Sequence, residues 1–136
     1  MQLHKTSQYA IRILSYIANS SDTLLSAKVL SETLDISYKY LTKIMTELVN
    51  GGFILSIRGR EGGYKLVKSA SEITILEILN YFKELEEYNE CILGTGFCNP
   101  NNKCILHDQW LEPKGLITKM FAETTLDNFD SEHFKI

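Results

Sequence analysis

The stretch Leu25-Ser26-Ala27-Lys28-Val29-Leu30-Ser31-Glu32-Thr33-Leu34-Asp35-Ile36-Ser37-Tyr38-Lys39-Tyr40-Leu41-Thr42-Lys43-Ile44-Met45-Thr46-Glu47-Leu48-Val49-Asn50-Gly51-Gly52 holds two helix starts, a tight connection and a stop. Ser26 has the chemistry of an N-cap, with Leu25 before it and Leu30 inside the helix as a hydrophobic staple. Ser37 repeats the device with Ile36 and Leu41. Ala27, Leu30 and Leu34 form the first apolar stripe, and Leu41, Ile44, Met45 and Leu48 the second. Asp35-Ile36 leaves room only for a tight turn, and Gly51-Gly52 ends the second helix. Two short helices so joined are a helix-turn-helix. The face opposite the second stripe carries Tyr38, Lys39, Thr42 and Lys43, with Tyr40 to one side. These groups can reach phosphates and base edges from a helix N-terminus, and the cap hydroxyls of Ser26 and Ser37 join them as candidate DNA contacts.

Downstream, Phe53-Ile-Leu-Ser-Ile-Arg58 and Tyr64-Lys-Leu-Val-Lys68 are β-rich runs, with Phe53, Leu55 and Ile57 alternating against Ile54, Ser56 and Arg58. Gly59-Arg60-Glu61-Gly62-Gly63 between them is a hairpin tip. A hairpin directly after a helix-turn-helix is a wing, and Arg58 and Arg60 near its tip are candidates for phosphate or minor-groove contacts. A phosphate-cradling loop needs a strand leading into a helix, which is absent here.

Upstream, Ala10, Ile13, Leu14, Ile17 and Ala18 predict an amphipathic helix over residues 5–19, ended by Asn19-Ser20-Ser21-Asp22. Beyond the wing, Thr74 with Glu77 forms a capping box flanked by Ile73 and Ile78. The helix it opens is expected to finish in Glu84-Leu-Glu-Glu-Tyr-Asn-Glu90, read as a solvated acidic end.

The stretch Cys91-Ile-Leu-Gly-Thr-Gly-Phe-Cys98-Asn-Pro-Asn-Asn-Lys-Cys104-Ile-Leu-His107 gathers every cysteine of the chain. Its Gly, Asn and Pro residues let the loop fold back and converge its thiols. Cys104 and His107, three apart, share one helix face. Three thiolates and one imidazole make a four-ligand set for zinc or for an iron–sulfur cluster. Buried structural thiols and a disulfide remain alternatives, the latter disfavoured by the odd count. Farther on, Leu106, Trp110, Pro113, Ile117, Met120 or Phe121, and Thr124 recur at alternating spacings of four and three, a heptad-like stripe of the kind that packs on a second copy. Pro113 and Gly115 are expected to kink or divide that helix.

At 136 residues the chain suits one domain with an extension. No apolar run approaches a membrane span, and no signal-peptide core is present, so a cytoplasmic protein with reduced thiols is expected. Residues 1–68 carry nine Lys/Arg and five Asp/Glu (+4), whereas residues 69–136 carry five and twelve (−7). The acidic total therefore hides a basic front half. An enzyme is not expected. There is no Ser/His/Asp set, no paired-carboxylate context, no nucleotide loop and no Cys-x-x-Cys, and His4 and His133 lie near the termini.

The fold expected is mainly α with a small β-hairpin. A winged helix-turn-helix DNA-binding domain would span 1–82, a cysteine-bearing loop 83–104, a long C-terminal dimerisation helix 105–128 and a disordered tail 129–136. The order of these parts resembles the IscR/NsrR family of bacterial transcription regulators (the Rrf2 family). Met1-Gln2-Leu3 with Tyr9-Ala10, the wing Ser56–Tyr64, and Cys91-x6-Cys98-x5-Cys104 carry the resemblance, and Lys103-Cys104-Ile-Leu-His107-Asp-Gln-Trp110 looks most like IscR. The resemblance implies a homodimeric regulator, a repressor in the first instance. It would bind a pseudo-palindromic operator with an affinity set by an iron–sulfur cluster on Cys91, Cys98, Cys104 and His107. IscR-like members carry an oxygen-labile 2Fe–2S cluster and report cluster supply, and NsrR-like members carry 4Fe–4S and respond to nitric oxide. Gln8, a poor ligand, stands where some NsrR proteins place an Asp ligand, so the resemblance favours His107 as the fourth ligand; 2Fe–2S is the favoured form and 4Fe–4S the other. A preparation in air is expected to lose the cluster. Thr42 replaces an acidic base reader of IscR, so the operator does not carry over. The alternative from another class is a zinc-stabilised protein-interaction adaptor with a structural Cys3His site.

Overall fold

The computed structural model describes residues 2–20 and 23–129. Helices α1 (Lys5–Ala18), α2 (Ala27–Leu34) and α3 (Tyr38–Asn50) precede a hairpin of β1 (Ile54–Ile57) and β2 (Gly63–Leu66). Then follow α4 (Ile75–Tyr81), α5 (Glu84–Tyr88) and α6 (His107–Glu123), and single 3-10 turns lie at Ala70–Glu72 and Leu126–Asn128. No helix among the described residues is long and apolar enough to cross a membrane.

The local signals act as their chemistry dictates. The Ser26 hydroxyl accepts the Val29 N–H at 3.2 Å, and the Ser37 hydroxyl accepts that of Tyr40 at 3.4 Å. The Thr74–Glu77 capping box closes from both sides, its carboxylate accepting the Thr74 N–H at 2.9 Å. Asp35 turns left-handed (φ 53°) at the end of α2 and stops that helix, and Ser37 starts α3 two residues on. The apolar stripes of α1, α2, α3 and α4 meet in one core, in which Ile13, Leu14, Leu30, Leu41, Ile44, Met45, Leu48, Ile78 and Leu79 are fully buried.

The hairpin is antiparallel, pairing Ile54 with Leu66 and Ile57 with Gly63. Leu25 adds a bridge on the other side of β2, exchanging both backbone hydrogen bonds with Tyr64. A Cβ on Gly63 would stand 2.8 Å from the Leu25 carbonyl oxygen, so this close approach requires glycine.

The structure departs from expectation in several places. Leu55 and Ile57 are exposed, whereas Ile54 is buried. Only the base of the wing meets the core, and the pleat turns Ile54 inward there. The helix opened by Thr74 ends at Tyr81, and Lys83 turns left-handed (φ 58°) before α5 begins. The single helix expected to run into the acidic segment is thus split in two, and α5 carries most of that segment inside the range 83–104 assigned to the cysteine-bearing loop. α6 passes Pro113 without a break. Pro113 and Gln109, whose carbonyl loses its helical donor, both face solvent, so water can satisfy that oxygen. α6 ends at Glu123, not 128. The chain then returns to the core: the Thr124 carbonyl accepts from Ile75 at 2.9 Å, Leu126 donates to Ile73 at 3.0 Å, and the Leu126 side chain is fully buried. Burying a leucine contributes roughly 2 kcal/mol, so the first 82 residues do not make the core alone. Ser21, Asp22 and residues 130–136, which include most of the expected tail, lie outside the described residues.

Candidate metal centre and DNA-facing surface

α5 hands the chain to a tight loop. Cys91 donates its N–H to Gly96 at 2.6 Å, and Gly94 donates to the Cys91 carbonyl at 2.7 Å. Gly94 (φ 73°) and Gly96 (φ 97°) are left-handed, a conformation glycine adopts without penalty. The Cys98 N–H returns to the Asn89 carbonyl at 3.2 Å, and its thiol reaches the Glu90 carbonyl at 3.7 Å. His107 donates its N–H to Cys104 at 3.1 Å and opens α6.

These turns bring Cys91, Cys98, Cys104 and His107 around one cavity of about 440 Å³, with Thr95, Phe97, Asn99, Asn102 and Lys103 in its wall. Cys91 and His107 are buried, Cys98 and Cys104 half-buried, and none is in a disulfide. Among the described residues no three such donors stand close enough to hold a single ion, so they share a cavity without forming a ready tetrahedral ion site.

A hydrogen bond from Thr95 brings the Cys91 thiol down to about 7, helped by the backbone at Leu93 and by Cys104. The Cys104 thiol moves the other way, held up chiefly by its hydrogen bond to Cys91. A proton thus stays on Cys104 and leaves Cys91 the better thiolate. Beside them Lys103 pairs with Asp108 at 2.8 Å and holds that carboxyl below the usual range. Three soft sulfurs, one imidazole and an easily ionised thiol facing a common space fit an iron–sulfur cluster in placement and chemistry.

In the winged body, Tyr38, Lys39 and Lys43 are exposed along α3, and Arg58 and Arg60 are exposed at the wing. Ser26 and Ser37 sit at the helix starts with their oxygens engaged as caps. Thr42 is half-buried and donates to the Lys39 carbonyl at 3.0 Å. Tyr40 is turned inward. Its hydroxyl shares a 2.8 Å hydrogen bond with Thr6, and its ring meets Tyr9 edge-on at 5.6 Å.

Sequence reasoning missed three residues. Thr95 looked like loop filler. Glu84 was assigned to a solvated helix end, yet only 2% of its surface is exposed. Its Oε1 accepts the backbone N–H of His4 at 2.7 Å. His4, taken for part of a free terminus, also places Nε2 3.2 Å from Glu87. No periodicity could flag a pair eighty positions apart.

The family described as "Rrf2: Iron-dependent Transcriptional regulator" matches residues 3–130. The regulator NsrR of Halalkalibacterium halodurans is 37% identical over 108 residues, covering 79% of this chain and 70% of that protein. IscR of Klebsiella pneumoniae is 31% identical over 127 residues, covering 93% and 77%. Among solved structures, CymR of B. subtilis, the global cysteine regulator, superposes with a TM-score of 0.78 at 21% identity, over 98% of this chain and 99% of that one.

Proposed function

The chain belongs to the Rrf2 family of transcriptional regulators, and we propose that it is a cytoplasmic, homodimeric repressor whose grip on duplex DNA is set by an iron–sulfur cluster. Cys91, Cys98, Cys104 and His107 hold that cluster, in the 2Fe–2S form by preference over 4Fe–4S. The observation that carries this reading is the convergence of all three thiols and His107 on one cavity, in a chain that also exposes cationic groups on α3 and the wing.

When bound, such a cluster supplies a redox-active iron centre that can be oxidised, nitrosylated or lost. The residues of the chain do the rest. Thr95 holds the Cys91 sulfur, and His107 ties the site to the first turn of α6. α6 exposes Leu116 and Met120 one turn apart, an apolar strip suited to a second copy. In the dimer two α3 helices would enter successive major grooves about 34 Å apart, which makes the operator pseudo-palindromic. Tyr38, Lys39 and Lys43 would contact one groove and its phosphates, and Arg58 and Arg60 would reach the flanking backbone or minor groove. The cap hydroxyls of Ser26 and Ser37 and the Thr42 side chain would add contacts at the helix starts, with Tyr40 held from behind by Thr6 and Tyr9.

Anaerobic purification followed by iron and sulfide analysis tests the reading. A brown protein with thiolate-to-iron absorption, whose DNA affinity changes when the cluster is removed, is expected. A colourless protein that takes up no iron on reconstitution overturns it. If that protein carries stoichiometric zinc, the structural Cys3His adaptor is the reading that survives.

A further inference from the structure

α1 begins without a cap of its own. His4 occupies the N-cap position, its side chain makes no capping hydrogen bond, and no acidic residue lies in the first turn. A helix start of fourteen residues leaves orphan N–H groups and partial positive charge there. Glu84, the only buried carboxylate among the described residues, supplies what is missing from eighty positions away, through the 2.7 Å bond to the His4 N–H.

Both ends of this contact lead somewhere. Glu84 opens α5, and the segment it begins ends in the carbonyls of Asn89 and Glu90, which hold the N–H and thiol of Cys98. Cys91 follows at once. On the other side, the first turn of α1 carries Thr6, whose hydroxyl bonds that of Tyr40 on α3, and Tyr9 packs its ring against the same Tyr40. A continuous path of hydrogen bonds and packed side chains therefore runs from the cysteine cavity through residues 84–90 to α1 and on to the helix that faces DNA.

We infer that Glu84 is the positioning residue that couples the cysteine arm to α3 within one protomer, by capping α1 from α5. The inference rests on the proposed function, because it concerns how the state of the cluster reaches the DNA-facing helix. When residues 89–98 rearrange around a bound or lost cluster, α5 moves with them, and the Glu84–His4 bond carries that shift to the start of α1. Thr6 and Tyr9 then reset Tyr40. Glu84 bonds His4 from a cavity that Cys91 also lines, whereas Thr6 lines neither of the two cavities at Cys91, so cluster loading is followed for every variant and Thr6→Val separates the coupling from the site itself.

The test compares DNA affinity of the full-length protein with its cluster loaded and removed, on a duplex that the parent protein selects from a random-sequence pool. Loading is followed by iron content and absorbance. Glu84→Ala is expected to load normally and to shrink the loaded-to-free affinity ratio by about tenfold, within the range usual for coupling between sites. Glu84→Gln keeps an acceptor oxygen and loses the charge, so it should shrink the ratio less. Thr6→Val, far from the cavity, should reproduce much of the Glu84→Ala effect with an unchanged cluster spectrum. Normally loaded Glu84→Gln and Thr6→Val proteins that both keep the parent ratio overturn the inference, and these two variants decide the matter even if Glu84→Ala does not fold. A parent protein whose affinity is the same with and without its cluster overturns the proposed function itself, and this inference with it.

Discussion

The winged body and the cysteine arm are built by different means. Residues 5–82, closed by Leu126, enclose a core to which α1, α2, α3 and α4 each contribute a fully buried side chain, whereas within 89–106 only Cys91 is buried. The arm keeps its shape through backbone hydrogen bonds across a glycine loop and through thiols facing one cavity. Apolar burial gives the body a stability of its own. An arm with so little to bury stays open to change, and a ligand that binds the thiols can order it. The proposed sensing needs that contrast: a firm half that would hold a DNA-reading surface, and a soft half whose state would depend on what it binds.

Four substitutions would break or sharpen this contrast. The largest effect is expected at Leu126, which α6 delivers back to the body. Leu126→Ala should cost about 3 kcal/mol in chemical unfolding, as core leucine truncations do. A loss under about 1 kcal/mol would mean that the return of the chain is ornamental. Next comes Arg58→Ala on the wing, which should weaken DNA binding by about 1–3 kcal/mol if it reads a base edge. If it touches phosphate only, it should lower the salt slope by about one for every sequence. An unchanged affinity and slope would remove Arg58 from the interface.

Thr74→Ala should cost about 1 kcal/mol at neutral pH by opening the capping box. Glu77 in that box is held below its ordinary value chiefly by the Thr74 N–H, with Lys68 helping. Its folded-state pKa is depressed, so its share of stability is present above the unfolded value and fades as pH falls through the folded one. Thr74→Ala keeps that backbone N–H and removes a hydroxyl that accepts the Glu77 N–H, so both proteins should lose stability as pH falls while the penalty between them stays nearly flat; urea melts in which the penalty vanishes in acid would instead put the charge of Glu77 on the Thr74 hydroxyl. The smallest stability effect is expected for Cys98→Ala. It should abolish iron retention yet move the unfolding midpoint of the cluster-free protein by no more than about 0.5 kcal/mol. A large destabilisation would make the arm part of the core and erase the contrast.

What the sequence could and could not reveal follows the same division. Caps, staples and apolar stripes act over three to five residues, so Ser26, Ser37, Thr74 and the faces of α1 to α4 were readable from neighbours alone. The convergence of the cysteine loop was legible because its thiols and His107 lie within seventeen positions and its turns are written in Gly, Asn and Pro. The inward turn of Tyr40 was not, since tyrosine on a polar helix face suits solvent, DNA or a neighbour equally well. Nor was the break at Lys83, where a left-handed lysine interrupts a pattern that reads as one continuing helix.

By itself, then, the sequence determined the winged helix-turn-helix, its basic face and the gathering of three thiols and a histidine, because each rests on contacts between residues near in the chain. Only the tertiary structure decided that Glu84 caps α1, that Leu126 completes the core and that Thr6 holds Tyr40. Those contacts join residues 34 to 80 or more positions apart, and their energy comes from burial and hydrogen bonds that exist only once the helices have met.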